Sequence, residues 1–500
     1  MVVLSANEIR AVENKCFALY STEADLMLRA GTACFEAMTR RYSMRGKSVS
    51  VLCGNGKNAG DGFVIARLLY SEGADVRIVL CDRKPEIAEP LMYYEQAVAS
   101  GVKVENFTGK STDVDYLVDC IFGIGFHGKA REPFKTIFEA VEKSNAVVIS
   151  VDTPSGADAT TGMVCRNCIC ADYTIAISTL KYCHILPPAN EYCGAVEVVD
   201  IGIPEACYEG NYVQTIELDK SILPKRAKNS NKGSFGHQLN ICSSYTMFGA
   251  GVIAAKSALR SGAGLVKLVV PNCAYPLVAG HLTQPVFSPV ADNDKGTISV
   301  KAIPVIKEEL KWADSVVIGC GLGVNDETRE VVDSVLLHAQ CAVVLDADGI
   351  NSINSHISIL EEIKVPVVLT PHPGEMARLI SKSISEVQEN RIGVAKAFAK
   401  EYKAVLVLKG ANTIVTDGDK VFVNLTGNPS MAMGGCGDML SGMIGAFIAQ
   451  GVSPLEAAKT AVYLHGLAGD CASEKMSQRG IVVSDMIEQL GALMSVFDKD

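Results

Sequence analysis

The residues best suited to chemistry form one stretch, Gly427-Asn428-Pro429-Ser430-Met431-Ala432-Met433-Gly434-Gly435-Cys436-Gly437-Asp438, which runs into an apolar helix predicted over Met439–Gln450. Glycines just before a helix leave a cup of peptide N–H donors that suits phosphate oxygens as charge develops on them. A carboxylate at the same point can take a proton from a substrate hydroxyl. An anion hole beside a base is what phosphoryl transfer to an alcohol requires; the competing reading is a glycine-rich hinge with a capping Asp. Other polar groups in the same half end apolar runs: Gly319–Gly323, Asp346-Ala347-Asp348 with Asn351 nearby, Thr370–Glu375 and Lys409–Thr413. His372, held between two prolines, has a restricted backbone and hence a positioned side chain. Lys409 or its loop suits nucleotide phosphates, whereas His465, inside a helical pattern, reads as structural.

The first half carries a second glycine-rich turn, Gly54-Asn55-Gly56-Lys57-Asn58-Ala59-Gly60-Asp61-Gly62, between an apolar strand and a helix. Such a turn presents N–H groups and the positive end of the helix dipole to an anion. Its glycine spacing matches neither the dinucleotide fingerprint nor a Walker loop, and a tight strand-to-helix turn capped by Asp is an equal reading. Asp119 and Asp152 end two further strands and lead into Phe122–Gly128 and Thr153–Gly156. Ligands of parallel sheets sit beyond the carboxyl ends of strands, so Asp119 reads as general acid/base, cation ligand or helix cap.

The elements that must position these residues follow a βαβα rhythm. Strands are predicted at 48–53, 76–80, 116–120, 147–151, 173–178 and 196–199, with helices at 6–20, 23–41, 62–71, 91–100 and 134–143. The rhythm breaks at the polar Leu223–Gly233 and restarts with strands at 239–242, 265–270, 315–318, 342–345, 367–370, 405–409, 413–416 and 421–424. The expectation is an α/β protein of two domains, residues 1–218 and 219–500, each with a mostly parallel sheet flanked by helices. The 500-residue length also exceeds what one core usually supports.

Composition narrows the function classes. The net charge of −10, without a basic stripe, argues against sequence-independent nucleic-acid binding. No basic lead and apolar core opens the chain, and no uninterrupted apolar run of membrane-spanning length occurs, so a cytoplasmic protein with no membrane partner is expected. The 17 cysteines read as reduced thiols; Cys165, Cys168 and Cys170 give one CxxC only, and small buried side chains are a better reading than a structural metal.

GNGKNAGDG, VDCIFGIGFHG, VDTPSG and DIGIP (residues 200–204) together resemble the NAD(P)H-hydrate epimerase domain. The resemblance implies a Rossmann-like domain with a substrate site lined by Lys57, Asn58, Ala59, Gly60, Asp61, by Gly123, Ile124, Gly125, Phe126, His127, Gly128, Lys129, and by Asp152. It implies a potassium ion on Asn58, Asp119 and Ser155; Asp119 is also the catalytic candidate of this half, on its strand-end position rather than on the resemblance. Lys57 and Ala59 depart from the usual GNGNNGGDG, and Ala59 needs a compatible φ.

KGSFGH, ALRSGAGLV, VVIGCGLG, DADGIN, LTPHPGEMARL, KGANTIV, TGNPSMAMGGCGD and YLHGLAGD resemble the ribokinase-like NAD(P)H-hydrate dehydratase family over nearly all of residues 226–500. In that family a nucleotide phosphorylates the hydrate hydroxyl, and phosphate then leaves. The resemblance makes Asp438 the base and Gly434, Gly435, Cys436 and Gly437 the anion hole. Ala250, Gly323, His372 and Asp438 would touch the hydrated coenzyme; Lys409, Gly410, Ala411, Asn412, Thr413 and Gly437 would touch the nucleotide. Cys436 stands where the family usually has Thr, which removes a hydroxyl donor. The fused order implies ADP, with ATP as the alternative, accompanied by Mg²⁺. Small-molecule substrates and a homo-oligomer are expected. The runner-up is a kinase for a small alcohol such as a vitamin precursor, with the first half a non-catalytic binding or oligomerisation module.

Overall fold

The computed structural model describes residues 1–498 and divides the chain into two compact units, Met1–Val213 and Gln214 onward. The break precedes both the expected 218/219 boundary and the polar stretch Leu223–Gly233. The reason is local: Gln214 and Thr215 already pair in parallel with Phe422 and Val423 of the second unit.

In the first unit seven strands form a wholly parallel sheet in the order Lys103–Asn106, Asp75–Leu80, Ser48–Cys53, Tyr116–Cys120, Val147–Val151, Tyr173–Ile177, Ala195–Val199. Alternate side chains serve opposite faces, as a strand's period of two requires: Val51 joins one core with Phe63 and Met38, and its neighbour Leu52 joins another with Phe138 and Ile137. Helices therefore cover both faces. The chain order reverses between Ser48–Cys53 and Tyr116–Cys120, where a crevice opens at the carboxyl edge. The register brings Cys53 beside Cys120 and Asp119 beside Ser150, so the turns that follow these strands meet there.

The second unit has a larger sheet in the order Val286–Val290, Leu265–Pro271, His237–Ile241, Ser315–Ile318, Ala342–Leu345, Val367–Leu369, Val405–Leu408, all parallel, then the antiparallel Ile414–Thr416 and Val421–Val423. Its order reverses between His237–Ile241 and Ser315–Ile318. Ile241, Ile318, Leu345, Leu369 and Leu406 stand side by side, so the residues just beyond them share one edge. The helix Cys436–Ala449 is buried along nearly its whole length. Two close approaches seat it: a side chain on Gly442 would begin 2.2 Å from Ala254 O, and one on Gly445 would begin 2.5 Å from Val317 Cγ2. This helix carries Asp438 in its first turn.

The edge strands Lys103–Asn106 and Val286–Val290 had no sequence signal. The first is short and polar, and the second contains Pro289, which only an edge strand accommodates. The turn expected over residues 54–62 is shorter than it reads, because the helix begins at Lys57. Ala59 is thus helical and carries no φ strain. All 17 cysteines are free, and among the described residues no helix is long and apolar enough to cross a membrane.

Candidate active sites

At the carboxyl edge of the second sheet, Asp346 follows the strand Ala342–Leu345 and is 1% exposed. Its Oδ1 accepts from Thr370 Oγ1 (2.7 Å) and Lys409 Nζ (2.9 Å), and its Oδ2 from Ser441 Oγ (2.8 Å). Burial alone would raise its pKa, but Lys409 and the hydroxyls hold it below the usual carboxylate value. Lys409 is likewise held above its ordinary value: Asp346 and Glu375 outweigh desolvation. Asp438 lacks such a cation of its own. Burial first, then the charge of Asp346, pushes it up to about 7, where it can accept a proton near neutrality. Asp346, Asp438 and the Cys320 thiol bring their ligand atoms within 4.8 Å of one another.

The cup stands against this cluster. Gly435 has φ 95° and hands the chain into the helix at Cys436, so the first-turn N–H groups lack helical partners. A side chain on Gly437 would begin 3.2 Å from Lys409 Nζ and 3.7 Å from Asp346 Oδ2, and nothing lies within 4 Å of such a point on Gly434. Peptide N–H groups, an ammonium and a carboxyl without an ion-pair partner of its own thus share one place. The Cys436 side chain does not belong to it. It is buried, packs its sulfur 3.9 Å from Met486 Sδ, and leaves only its backbone to the cup.

The remaining expected residues of this unit ring the same edge. Ala250 sits in the first turn of Phe248–Arg260; a side chain on Gly321 would begin 2.7 Å from Ala250 Cβ, so only glycine lets these segments touch. Gly323 N–H donates to Asp348 Oδ2 (2.8 Å). His372 caps the helix Pro373–Leu379, accepting at Nδ1 from Gly374 N–H (3.0 Å), with Nε2 3.5 Å from Glu375 Oε1 on a half-exposed ring. Lys409–Thr413 forms the turn between two antiparallel strands. Gly410 has φ 134°, Asn412 has φ 54°, Thr413 Oγ1 donates to Gly410 O, and Ala411 is exposed.

In the first unit a cavity of about 500 Å³ opens at the sheet's reversal point. Lys57, Asn58, Asp61, Gly123, Ile124, Gly125, Phe126 and Asp152 line it. Ala59 and Gly60 do not: Ala59 is wholly buried, and a side chain on Gly60 would strike Met27 Sδ. His127, Gly128 and Lys129 are exposed outside the lining. Lys57 pairs with Glu23 at 2.6 Å. Asp152 adopts φ 69° and forms a buried ion pair with Lys181. His184 braces the pair: its Nδ1 accepts from Lys181 N–H (2.9 Å), and its Nε2 donates to Asp152 O (2.8 Å). Burial and then Lys181 push His184 down to about 4, so the ring is neutral.

Asp119 departs from its expected catalytic role. It is 0% exposed, off the cavity lining, and accepts from Ser155 Oγ (2.6 Å), Ser155 N–H (2.8 Å), Ser150 Oγ (2.9 Å) and Ile121 N–H (3.2 Å). Burial raises its pKa. Asn58 and Ser155 meet beside it at the backbone of Phe122: Asn58 Nδ2 donates to Phe122 O (3.0 Å) and also to Val151 O (3.2 Å), and Phe122 N–H donates to Ser155 Oγ (2.9 Å). A buried carboxylate with hydrogen bonds but no cationic partner, beside converging carbonyl oxygens, fits a potassium ion in donor chemistry.

Sequence reasoning passed over Glu13 and Lys181 in this cavity, His184 behind it, and the ion-pair role of Asp346. A lone Lys after an apolar strand carries no motif, and the helix bearing Glu13 is remote in sequence from the glycine-rich turns.

Two mostly parallel-sheet units, one with a glycine-rich turn and a cluster of buried carboxyls at its carboxyl edge, define an α/β enzyme whose second unit has the ribokinase-like fold. A ribokinase-like superfamily protein from Enterococcus faecalis V583 shares that fold, with TM-score 0.51 and 24% identity over 58% of this chain and 100% of that one. A hypothetical protein from Streptococcus mutans aligns with TM-score 0.50 and 26% identity over 56% of this chain and 97% of the other. The family described as NAD(P)H-hydrate dehydratase matches residues 239–490, and the YjeF-related protein N-terminus matches residues 23–183. Bifunctional NAD(P)H-hydrate repair enzymes of Moorella thermoacetica and Coxiella burnetii are each 34% identical, covering 93% and 99% of this chain and 91% and 100% of their own lengths. That of Escherichia coli K12 is 32% identical, over 99% of this chain and 95% of its own. The chain belongs to the family of bifunctional NAD(P)H-hydrate repair enzymes.

Proposed function

We propose that the chain repairs hydrated NADH and NADPH, its first unit exchanging the R and S hydrates and its second dehydrating the S form with ADP. The observation that carries this reading is the meeting of Asp438, raised to about 7, with the Gly434–Gly437 cup and Lys409. In the second unit Lys409 and the cup's N–H groups hold the nucleotide phosphates, and Asp438 removes the proton of the hydrate hydroxyl as its oxygen takes the phosphoryl group. Phosphate is then a good leaving group, and its departure restores the dihydropyridine, leaving AMP. Ala250, Gly323 and His372 are the contacts proposed for the coenzyme, and Lys409–Thr413 with Gly437 those for the nucleotide.

Magnesium, accompanying the nucleotide, would neutralise phosphate charge. Both Asp346 oxygens are already hydrogen-bonded, so the residues present suit an ion held mainly by phosphates and water near Asp348 and Asp438. In the first unit Lys57, Asn58, Asp61, Gly123–Phe126 and Asp152 would bind the hydrate. Asn58, Asp119 and Ser155 would hold potassium, which would offset the buried charge of Asp119 and fix the turns around the cavity. Cytoplasmic coenzyme pools are the proposed setting.

The test is incubation of separated R and S NADPH hydrates with ADP or ATP, following recovery of dihydropyridine absorbance and release of phosphate. Recovery from S alone with nucleotide, and from R after exchange, is the expected result. A stable phosphorylated product without recovery would assign a small-alcohol kinase instead.

A further inference from the structure

The cavity of the first unit contains a carboxyl outside the residues proposed to bind the hydrate. Glu13 lies on the helix Ala6–Leu19, and with Ile9, Arg10 and Phe17 of that helix it lines the cavity. It is half-buried, and it makes no hydrogen bond or ion pair with any described residue. The charged groups facing it are Asp152, Asp61 and Glu23, against Lys181, Lys57 and Arg10. Lys181 is committed to Asp152 and Lys57 to Glu23. Burial first, then Asp152, brings Glu13 to about 7, so both its protonated and ionised forms are populated near neutrality. Asp152 reaches the same cavity from a strand end. Its Oδ1 is bound by Lys181 and Ile177 N–H, and its Oδ2 lies 3.4 Å from where a side chain on Gly123 would begin.

The chemistry of the substrate requires such a pair. Adding water across an enamine double bond leaves the hydroxyl on the carbon attached to nitrogen, and the two hydrates differ at that carbon. To exchange them, the C–O bond breaks while the ring-nitrogen lone pair forms a C=N bond. The departing oxygen takes a proton and leaves as water. A water then adds to the opposite face and loses a proton, and the C=N electrons return to nitrogen. One water leaves and one enters, with no redox change. The departure needs an acid and the return needs a base.

We propose that Glu13 is the proton donor to the departing hydroxyl and that Asp152, held by Lys181 on another wall of the cavity, takes the proton from the returning water; in the reverse direction the two exchange roles. This assignment rests on the epimerase reading of the first unit.

The test uses the full chain and its two activities. Exchange of R into S NADPH hydrate is measured by chromatography, corrected for the spontaneous rate, for wild type, Glu13→Gln and Glu13→Asp. Dehydration of pure S hydrate with ADP is measured on the same preparations. Glu13→Gln should lower the exchange kcat by about 100-fold or more with little change in KM, as loss of general acid–base catalysis does. Glu13→Asp should restore part of it, and dehydration should stay at the wild-type rate in both. Wild-type exchange should fall as pH rises through about 7, while the residual rate of Glu13→Gln should not follow that step. Exchange by Glu13→Gln within about fivefold of wild type would overturn the assignment. Absence of exchange in wild type would instead overturn the epimerase reading beneath it.

Discussion

Lys409 Nζ stands 2.9 Å from Asp346 Oδ1, and the same nitrogen is 3.2 Å from the point where a side chain on Gly437 would begin. One ion pair thus neutralises a buried carboxylate and sets an ammionium-bearing wall against the anion cup. It also explains the asymmetry of the two carboxyls: Asp346 is held ionised, and its charge helps keep Asp438 protonated up to about 7.

Breaking that pair should be costly. Lys409→Met leaves Asp346 ionised and without its cation, and a loss of about 3–5 kcal/mol of stability is expected in urea unfolding. Adding Asp346→Asn should recover most of the stability but not dehydration, because the phosphates still lack their ammonium. Recovery of activity in the double variant would contradict the role given to Lys409.

Asp438→Asn should reduce dehydration by about 10³-fold or more while leaving R/S exchange intact. Wild-type dehydration should rise with pH through about 7, since only the ionised carboxyl is a base. Stability should move the other way. The folded pKa is raised, so the folded protein binds the extra proton between about 4 and 7, and stability is lost as pH climbs through that window. Asp438→Asn should therefore be more stable than wild type at pH 8, by up to about 4 kcal/mol over about three pH units at about 1.4 kcal/mol each, and close to it at pH 4, by thermal unfolding.

Gly437→Ala places a methyl group between the cup and Lys409. Ala favours a helix over Gly by up to about 1 kcal/mol, so stability should hold or rise. The nucleotide KM should nevertheless increase about tenfold or more, because the phosphate seat is narrowed. Unchanged nucleotide affinity would show that the phosphates bind elsewhere.

Cys436→Thr should leave dehydration within about threefold of wild type, since the side chain at this position packs toward Met486 and away from the cup. Its cost should fall on stability, at about 1 kcal/mol or more for a hydroxyl placed in the core. A large gain in kcat would mean that a hydroxyl here reaches the phosphate.

Much of this protein was legible in one dimension because its signals are local. Parallel strands buried on both faces read as short apolar runs, and the glycine-rich turns at 54–62 and 427–438 mark where strands hand over to helices. Asp438 is visible because its partners in the cup are its immediate neighbours. The edge strand Val286–Val290, the helical state of Lys57–Asp61 and the early break at Val213 were less legible, since each depends on what the segment packs against rather than on its own pattern.

Tertiary structure alone decided which titratable groups meet. Asp346 and Lys409 are 63 residues apart, and Asp152 and Lys181 are 29 apart. Glu13 reaches the first cavity from a helix that no motif connects to it. Asp119, conspicuous in sequence at a strand end, lies sealed beneath its cavity. Residue type and spacing specify what a side chain can do; burial and the charges that folding brings beside it specify whether it is a base, an acid or a fixed ion, because both act through distances that the order of residues does not contain.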